Sequence, residues 1–146
     1  MTSASEIVPG LWQGGVPWPG PEAANAGFDV VVFAAKEWQP VAFMYPDVSV
    51  IKVALEDDYE RPMTRTEVLA TRRVAKMVVD AVRAGQKVLV TCLAGRNRSG
   101  LIVAMAIMEL YGVDGVEAAR LVRQKRKTPM GPALSNPQFR AMLGER

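Results

Sequence analysis

An α/β fold with a single domain over residues 1–146 is predicted by two observations on this sequence. Short runs rich in β-branched residues alternate with longer segments that carry helix-start signals, and Gly- and Pro-rich stretches separate them. Such alternation is typical of layered strands and helices. The 146 residues, 49% of them hydrophobic, suit one substantial core.

The strands are predicted where β-rich apolar residues cluster, at residues 28–33, 48–53 and 87–91. A capping box at residues 64–67 opens a helix that ends near Gly85. The same device at residues 114–117 opens a helix toward Arg126, and an Asn-Pro pair at 136–137 fits the start of a last short helix. Residues 101–108 are apolar enough for a core helix.

The segment from Cys92 to Gly100 carries the most informative chemistry, because the only cysteine stands six positions before Arg98 between a strand and a helix. Backbone N–H groups of a loop that curls into a helix N-terminus attract an anion together with the helix dipole. The same field favours thiolate over thiol at Cys92. Arg98 adds a planar fork of donors that suits two phosphoryl oxygens. The spacing therefore predicts a phosphate-binding loop with a nucleophile at its base.

Each other residue of this loop has a predicted role in phosphate binding or in loop geometry. Gly95 permits a positive φ, Gly100 lets the helix start approach closely, and Asn97 fixes the loop by local hydrogen bonds. The predicted phosphate-binding residues are Leu93, Ala94, Gly95, Arg96, Asn97 and Arg98.

The C-x5-R-S pattern resembles the signature of the cysteine-dependent protein tyrosine phosphatase superfamily, and the chain is similar to its dual-specificity members over nearly its whole length. Residues 7–15 look like their first strand and turn, and residues 121–139 resemble their C-terminal helices and connector. The resemblance implies a mostly parallel central sheet flanked by helices. It also implies a phosphatase that needs no metal or cofactor.

The resemblance also implies a role for each catalytic residue. Cys92 attacks phosphorus to form a phosphocysteine, Arg98 binds the phosphoryl oxygens, and Ser99 hydrogen-bonds the departing thiolate. A helix cap is the alternative role for Ser99. An upstream aspartate protonates the leaving oxygen, for which Asp57 is the first candidate and Asp58 the second. A merely solvated acidic loop is the alternative for that pair.

One departure from the family pattern is that Thr91 stands where a histidine usually precedes the nucleophile, and the chain holds no histidine at all. The loop amides, Arg98 and the Thr91 hydroxyl are left to activate the thiol. Mechanisms that need a histidine base, including Cys-His proteases, and the common zinc sites are excluded.

The predicted substrate is phosphotyrosine in proteins, with phosphoserine and phosphothreonine as further possibilities. Arg96 makes the loop more basic, which suits phosphoinositides, and residues 97–100 are similar to the loop of polynucleotide 5′-triphosphatases, so both substrate classes stay open. Thr91 leaves open an inactive phosphate-binding module. A rhodanese-like sulfur transferase is disfavoured by Ser99 and by the acidic loop.

Charge and hydropathy set the expected partners and location. The net charge of +3 does not argue for nucleic acid, and no run approaches eighteen uncharged apolar residues. The N-terminus has no basic segment followed by an apolar one, and the chain has a single cysteine. We therefore expect a cytoplasmic monomer without stable membrane association.

The basic residues near 120–127 are predicted to lie at a solvated helix end. The alternative is that some of them flank the phosphate site. These basic residues are Arg120, Arg123, Lys125, Arg126 and Lys127.

Most of the aromatic surface falls in the first third of the chain, and core packing is the predicted use. The alternative for residues 36–40 is a pocket rim where Trp38 stacks on a phosphotyrosyl ring. Tyr59, near the acidic loop, is a second candidate for that stacking role. The residues that carry most of this surface are Trp12, Trp18, Trp38, Phe43 and Tyr45.

Overall fold

A computed structural model of the chain describes residues 4–15 and 20–145. Within these ranges it contains five strands and five helices, together with a 3-10 turn. The strands are β1 (Ala4–Val8), β2 (Leu11–Gly14), β3 (Val30–Ala35), β4 (Ser49–Leu55) and β5 (Val88–Thr91). The helices are α1 (Gly20–Asn25), α2 (Arg65–Arg83), α3 (Arg98–Tyr111), α4 (Gly115–Lys125) and α5 (Pro137–Met142), and the 3-10 turn is Ala42–Met44.

The strands form one sheet in the order β1-β2-β5-β3-β4. β1 pairs antiparallel with β2 and the other pairs are parallel, so the predicted mostly parallel sheet is confirmed. β5 lies at the centre, where Val88 faces Leu11 on one side and Val30 on the other. The loop that begins at Cys92 therefore leaves the carboxyl end of the central strand, where open α/β sheets bind their ligands.

The sheet separates two hydrophobic clusters of unequal size. The larger one buries α2, α3 and α4 against one face, with Val78, Ile102 and Phe139 almost fully enclosed. The smaller one joins α1 to the opposite face through Phe28, Phe33 and their neighbours. Each large side chain of this kind stabilises the fold by about 1.5–3 kcal/mol, so the large cluster anchors the sheet on which the loop stands.

Most of the predicted elements are confirmed, with boundaries shifted by a few residues. The capping box of α2 is complete, and α2 ends at Arg83. Asp114 caps α4, but the Glu117 side chain pairs with Arg120 and does not complete a second box. Helix α1 and the 3-10 turn were not predicted, because segments this short depend on tertiary contacts.

Membrane-spanning potential among the described helices is low. No single one is long and apolar enough to cross a bilayer, although α3 and α4 together, bent by 120°, satisfy the same length and composition criteria.

Candidate active site

The loop between β5 and α3 packs tightly on the end of β2. A Cβ atom on Gly95 would fall 2.6 Å from the Gly14 carbonyl carbon, and one on Gly15 would fall 3.0 Å from the Leu93 oxygen. Gly95 has a φ of 66°, as predicted, and a Cβ on Gly100 would lie only 3.1 Å from Leu134 Cγ. Glycine therefore sets the curvature of the loop and its distance from the sheet and from residues 126–136 between α4 and α5, which we call the C-terminal connector.

Cys92 lies at the base of the loop with a free thiol that is 3% exposed. Its Sγ is 3.2 Å from Ser99 Oγ. Ser99 is the second residue of α3, whose N-cap is Asn97, so its hydroxyl faces the sulfur and does not cap the helix. Of the two alternatives for Ser99, this geometry favours contact with the nucleophile.

The backbone N–H groups of residues 93–98 donate no hydrogen bond to other atoms within the described part of the chain. Asn97 also makes no side-chain cap bond at the start of α3. Free N–H groups at the start of a 14-residue helix form an anion site, because the helix dipole adds to their partial charges.

Arg98 is buried beside the loop with one edge of its guanidinium engaged and the other available. Its Nη1 donates to the Leu55 carbonyl at 3.0 Å and pairs closely with the Glu37 carboxylate. Its Nε is buried and has no partner among the described residues. A buried donor without an acceptor is costly, so the free Nε–Nη2 edge is suited to two oxygens of an anion.

Asp57 is held between the loop and the C-terminal connector. One carboxylate oxygen accepts from Asn97 Nδ2 at 2.9 Å and the other from Asn136 Nδ2 at 2.8 Å. The Asn97 oxygen in turn accepts from the backbone N–H groups of Ser135 and Asn136. The prediction that Asn97 makes local hydrogen bonds is therefore wrong, because its partners are 38 to 40 residues away.

Asp58 stabilises residues 56–64 between β4 and α2, which we call the acid loop, and does not face the phosphate loop. Its Oδ1 accepts from the backbone N–H groups of Glu60 and Arg61, which closes a turn. Its carboxylate also lies 3.9 Å from the Arg61 guanidinium. The structure thus places only Asp57 of the two candidates against the phosphate loop.

The acid loop is tied to the start of α2 through Arg61. This side chain donates to Glu56 at 2.9 Å and to Glu67 at 2.9 Å. The bonds from Arg61, assisted by Thr64, lower the pKa of Glu67 to about 2. Lys36 and Arg61 also lower the pKa of Glu56. This charge network holds the loop that carries Asp57.

Arg96 points away from the open side of the loop. Its Nη2 donates to Ser135 Oγ at 2.7 Å and its Nε to the Pro132 carbonyl at 3.2 Å. Its guanidinium fastens the loop to the connector. The backbone N–H groups of Leu93 and Ala94 donate no hydrogen bond to the described residues and are available to an anion.

Two buried polar residues behind the loop, Gln13 and Arg126, were not predicted as part of the site; we call them the rear wall. Gln13 is fully buried on β2, and Arg126, just after α4, is 3% exposed. Both donate to the Gly95 carbonyl, at 3.0 Å and 2.9 Å. The predicted solvated helix end is therefore wrong for Arg126, although Arg120 is exposed. A polar residue in an apolar strand was the signal for Gln13.

The Thr91 hydroxyl makes no hydrogen bond with the sulfur among the described contacts. Its hydroxyl donates to the Val32 carbonyl at 2.7 Å inside the sheet. The expectation that this hydroxyl takes part in thiol activation is therefore wrong. Glu37, the partner of Arg98, was not singled out in the sequence beyond its place in the segment 36–40.

A cavity of about 490 Å³ adjoins Arg98 through Glu37. Trp38, Pro40 and Met44 line its apolar wall. Core packing is confirmed for Tyr45 but is wrong for Trp38 and Phe43, which are exposed. Trp18 lies outside the described residues.

Comparisons with known proteins identify one family by its sequence model and a common fold by solved structures. The family model described as dual specificity phosphatase, catalytic domain, matches residues 18–145. Similar solved structures include human DUSP28, with a TM-score of 0.76 and 24% identity over 97% of this chain and 90% of that chain. Another is Tk-PTP in its active form, with a TM-score of 0.79 and 24% identity over 97% and 94%.

A mouse putative dual specificity phosphatase in complex with zinc tungstate is also similar, with a TM-score of 0.78 and 24% identity over 97% of this chain and 84% of that chain. At this level of identity the likeness to solved structures shows a common fold. A comparison with curated protein sequences finds no match.

Proposed function

The chain belongs to the dual specificity phosphatase family, and we propose that it is an active phosphomonoester hydrolase that uses Cys92 as its nucleophile. Its proposed substrate is phosphotyrosine in proteins, with phosphoserine and phosphothreonine as slower substrates. We further propose that it acts as a cytoplasmic monomer.

The observation that carries this proposal is the unpartnered, buried edge of Arg98 at the end of the loop that begins at Cys92. The side chain is only 6% exposed, and its Nε finds no acceptor among the described residues. A phosphoryl group on the free Nε–Nη2 edge would satisfy that donor and two neighbouring N–H groups of the loop at once. The sulfur beneath the loop would then face the phosphorus atom.

The proposed reaction has two steps. In the first, Cys92 Sγ attacks phosphorus, the bond to the ester oxygen breaks, and Asp57 gives its proton to that oxygen. In the second, the Asp57 carboxylate takes a proton from water, the water oxygen bonds to phosphorus, and the sulfur–phosphorus bond breaks. Ser99 hydrogen-bonds the sulfur as it leaves with the electron pair.

The preference for phosphotyrosine is supported by the cavity beside Arg98. Glu37 contacts Arg98 and also lines the cavity, so an ester group that leaves the loop on the Glu37 side would meet Trp38. An aromatic ring can stack on the Trp38 side chain, whereas phosphoserine has no ring to stack there.

Hydrolysis of p-nitrophenyl phosphate by the purified protein and by Cys92→Ser tests the proposal. We expect turnover by the parent protein, none above background by the variant, and binding of inorganic phosphate or vanadate by both. Acid quenching after mixing with ³²P-labelled substrate should trap label on Cys92. A parent protein without turnover would contradict the proposal.

A second candidate is a phosphate-binding protein without turnover, which is favoured by the absence of the usual histidine. The same assay separates the two, because the binding protein would take up phosphate without releasing p-nitrophenol. Parallel rates on a phosphotyrosyl peptide, a phosphoseryl peptide, a phosphoinositide and triphosphorylated RNA would then rank the substrate classes.

A further inference from the structure

The rear wall contacts the nucleophile through a hydrogen-bond chain whose direction can be deduced. Gln13 Nε2 donates to the Gly95 carbonyl at 3.0 Å and to Ser99 Oγ at 3.2 Å. A carbonyl oxygen only accepts, which fixes the orientation of the Gln13 amide, and an amide nitrogen only donates, which makes Ser99 Oγ the acceptor. The single Ser99 hydroxyl proton is therefore left for Cys92 Sγ at 3.2 Å. A donor aimed at sulfur favours the thiolate.

Gln13 is poorly suited to the core in any other respect. It is fully buried, and its Oε1 has no partner among the described residues. A buried acceptor without a donor costs about 1–3 kcal/mol. Leucine would avoid that cost in a buried strand, so the amide is best explained by what its nitrogen does for the loop.

Arg126 brings a positive charge to the same place. Its Nε donates to the Gly95 carbonyl at 2.9 Å and its Nη1 to Ser5 Oγ at 3.1 Å. Its Nη2 occupies the space where a Cβ on Gly95 would lie, at 2.5 Å, so glycine admits the guanidinium. No carboxylate pairs with Arg126 in the described part of the chain.

A buried cation without an acidic partner needs another anion nearby. Burial lowers the pKa of Arg126, and the negative charge of Cys92 opposes that shift.

We propose that Gln13 and Arg126 are positioning residues that hold Cys92 as a thiolate from behind the phosphate loop, in place of the missing histidine. This inference rests on the proposed function. Thr91, which occupies the position of that histidine, uses its hydroxyl on Val32. The rear wall also draws the Gly95 carbonyl away from the open side of the loop.

A test of this inference requires that the other charged groups near the loop keep their contacts. Each of them has partners of its own that the rear-wall variants leave intact. They are Arg98 with Glu37, Arg96 with Ser135, and Asp57 with Asn97 and Asn136.

Alkylation by iodoacetamide measures the thiolate directly, because Cys92 is the only thiol in the chain. Rates from about pH 4 to about pH 9, followed by intact mass, give the midpoint of thiolate formation. We expect Gln13→Leu and Arg126→Met each to raise this midpoint by about one pH unit. Arg126→Lys, which keeps the charge but loses the fork, should raise it by less.

Two control variants separate thiolate stabilisation from a general loss of structure. Arg120→Met removes an equal charge from the exposed side of α4, and Thr91→Val removes the buried hydroxyl next to Cys92. Both midpoints should stay within about 0.2 pH unit of the parent value. The acidic limb of kcat/KM for p-nitrophenyl phosphate should move with the alkylation midpoint in the rear-wall variants.

Unmoved midpoints in folded Gln13→Leu and Arg126→Met would overturn the inference. If Arg126→Met does not fold, Gln13→Leu and Arg126→Lys decide the question. Alkylation needs no turnover, so a parent protein without phosphatase activity would contradict the proposed function while the midpoints still test the rear wall.

Discussion

The two sides of the phosphate loop are built differently. On the open side, which we call the front, Arg98 meets Glu37 and Asp57 meets Asn97, with carboxylates that come from exposed loops. At the rear, the contacts to the loop come from a strand and from the end of a helix, and they are almost fully buried. Front contacts can exchange with a ligand, whereas rear contacts are part of the core.

This difference predicts which property each side controls. Water can replace a lost partner at the front, so changes there should alter turnover more than folding. A lost partner at the rear leaves a buried polar group unsatisfied, so changes there should lower the stability of the fold and the thiolate fraction of Cys92. The following predictions test this division, from the largest expected effect to the smallest.

Arg98→Lys tests the front most severely. Lysine cannot present the Nε–Nη2 edge to two oxygens, so we expect kcat/KM for p-nitrophenyl phosphate to fall by about 10²–10³-fold. The urea midpoint of unfolding should change less than the activity, because Glu37 is exposed and can be solvated and the lysine ammonium can still donate to the Leu55 carbonyl. A loss of activity below about tenfold would argue against Arg98 as the phosphate ligand.

Asp57→Asn and Asp58→Asn form a matched pair on the acid loop. Only Asp57 faces the phosphate loop, so its variant should lower kcat on a phosphotyrosyl peptide by about 10²-fold with little change in KM. Asparagine can still accept the turn bonds of Asp58, and Asp58→Asn should keep nearly full activity. Equal losses in both variants would withdraw the assignment of the general acid to Asp57.

Gly95→Ala tests the rear through the backbone. The new methyl group would overlap the Arg126 guanidinium and the Gly14 carbonyl carbon at a positive φ. We expect the free energy of unfolding to fall by about 2–4 kcal/mol. Gly85→Ala is the control, since its φ is 82° but nothing lies within 4 Å of the added atom. It should cost about 1 kcal/mol, and equal losses would show that Gly95 is not packed against the rear wall.

Glu67→Gln tests the anchoring of the acid loop by pH. Because the pKa of Glu67 is lowered from 4.5 to about 2 in the folded protein, its ion pair stabilises the fold above about pH 4.5. That contribution is lost as the pH falls toward 2. The variant should therefore lose about 1 kcal/mol at pH 7 and about half of that or less at about pH 3, measured by urea unfolding.

Glu117→Gln provides the comparison for this pH effect. Its ion pair with Arg120 is exposed on α4 and touches neither side of the loop. Its loss should be smaller than that of Glu67→Gln at pH 7. An equal or larger loss would mean that the Arg61 network does not anchor the acid loop.

The sequence predicted the elements whose signals are local. The capping box at Thr64, the β-rich run of β5 and the glycine at position 95 each depend on neighbours within a few residues, and each has the predicted form. The spacing from Cys92 to Arg98 likewise placed the candidate loop between β5 and α3.

The partners of the loop depended on the tertiary structure. Gln13 is 86 residues from Ser99, Arg126 is 31 from Gly95, and Asn136 is 79 from Asp57. Burial reversed the expectation for Arg126, because a basic run at a helix end usually faces water. Local sequence determines the conformation of a loop, whereas the groups that surround its sulfur come from strands and helices that meet only when the sheet and its helices assemble.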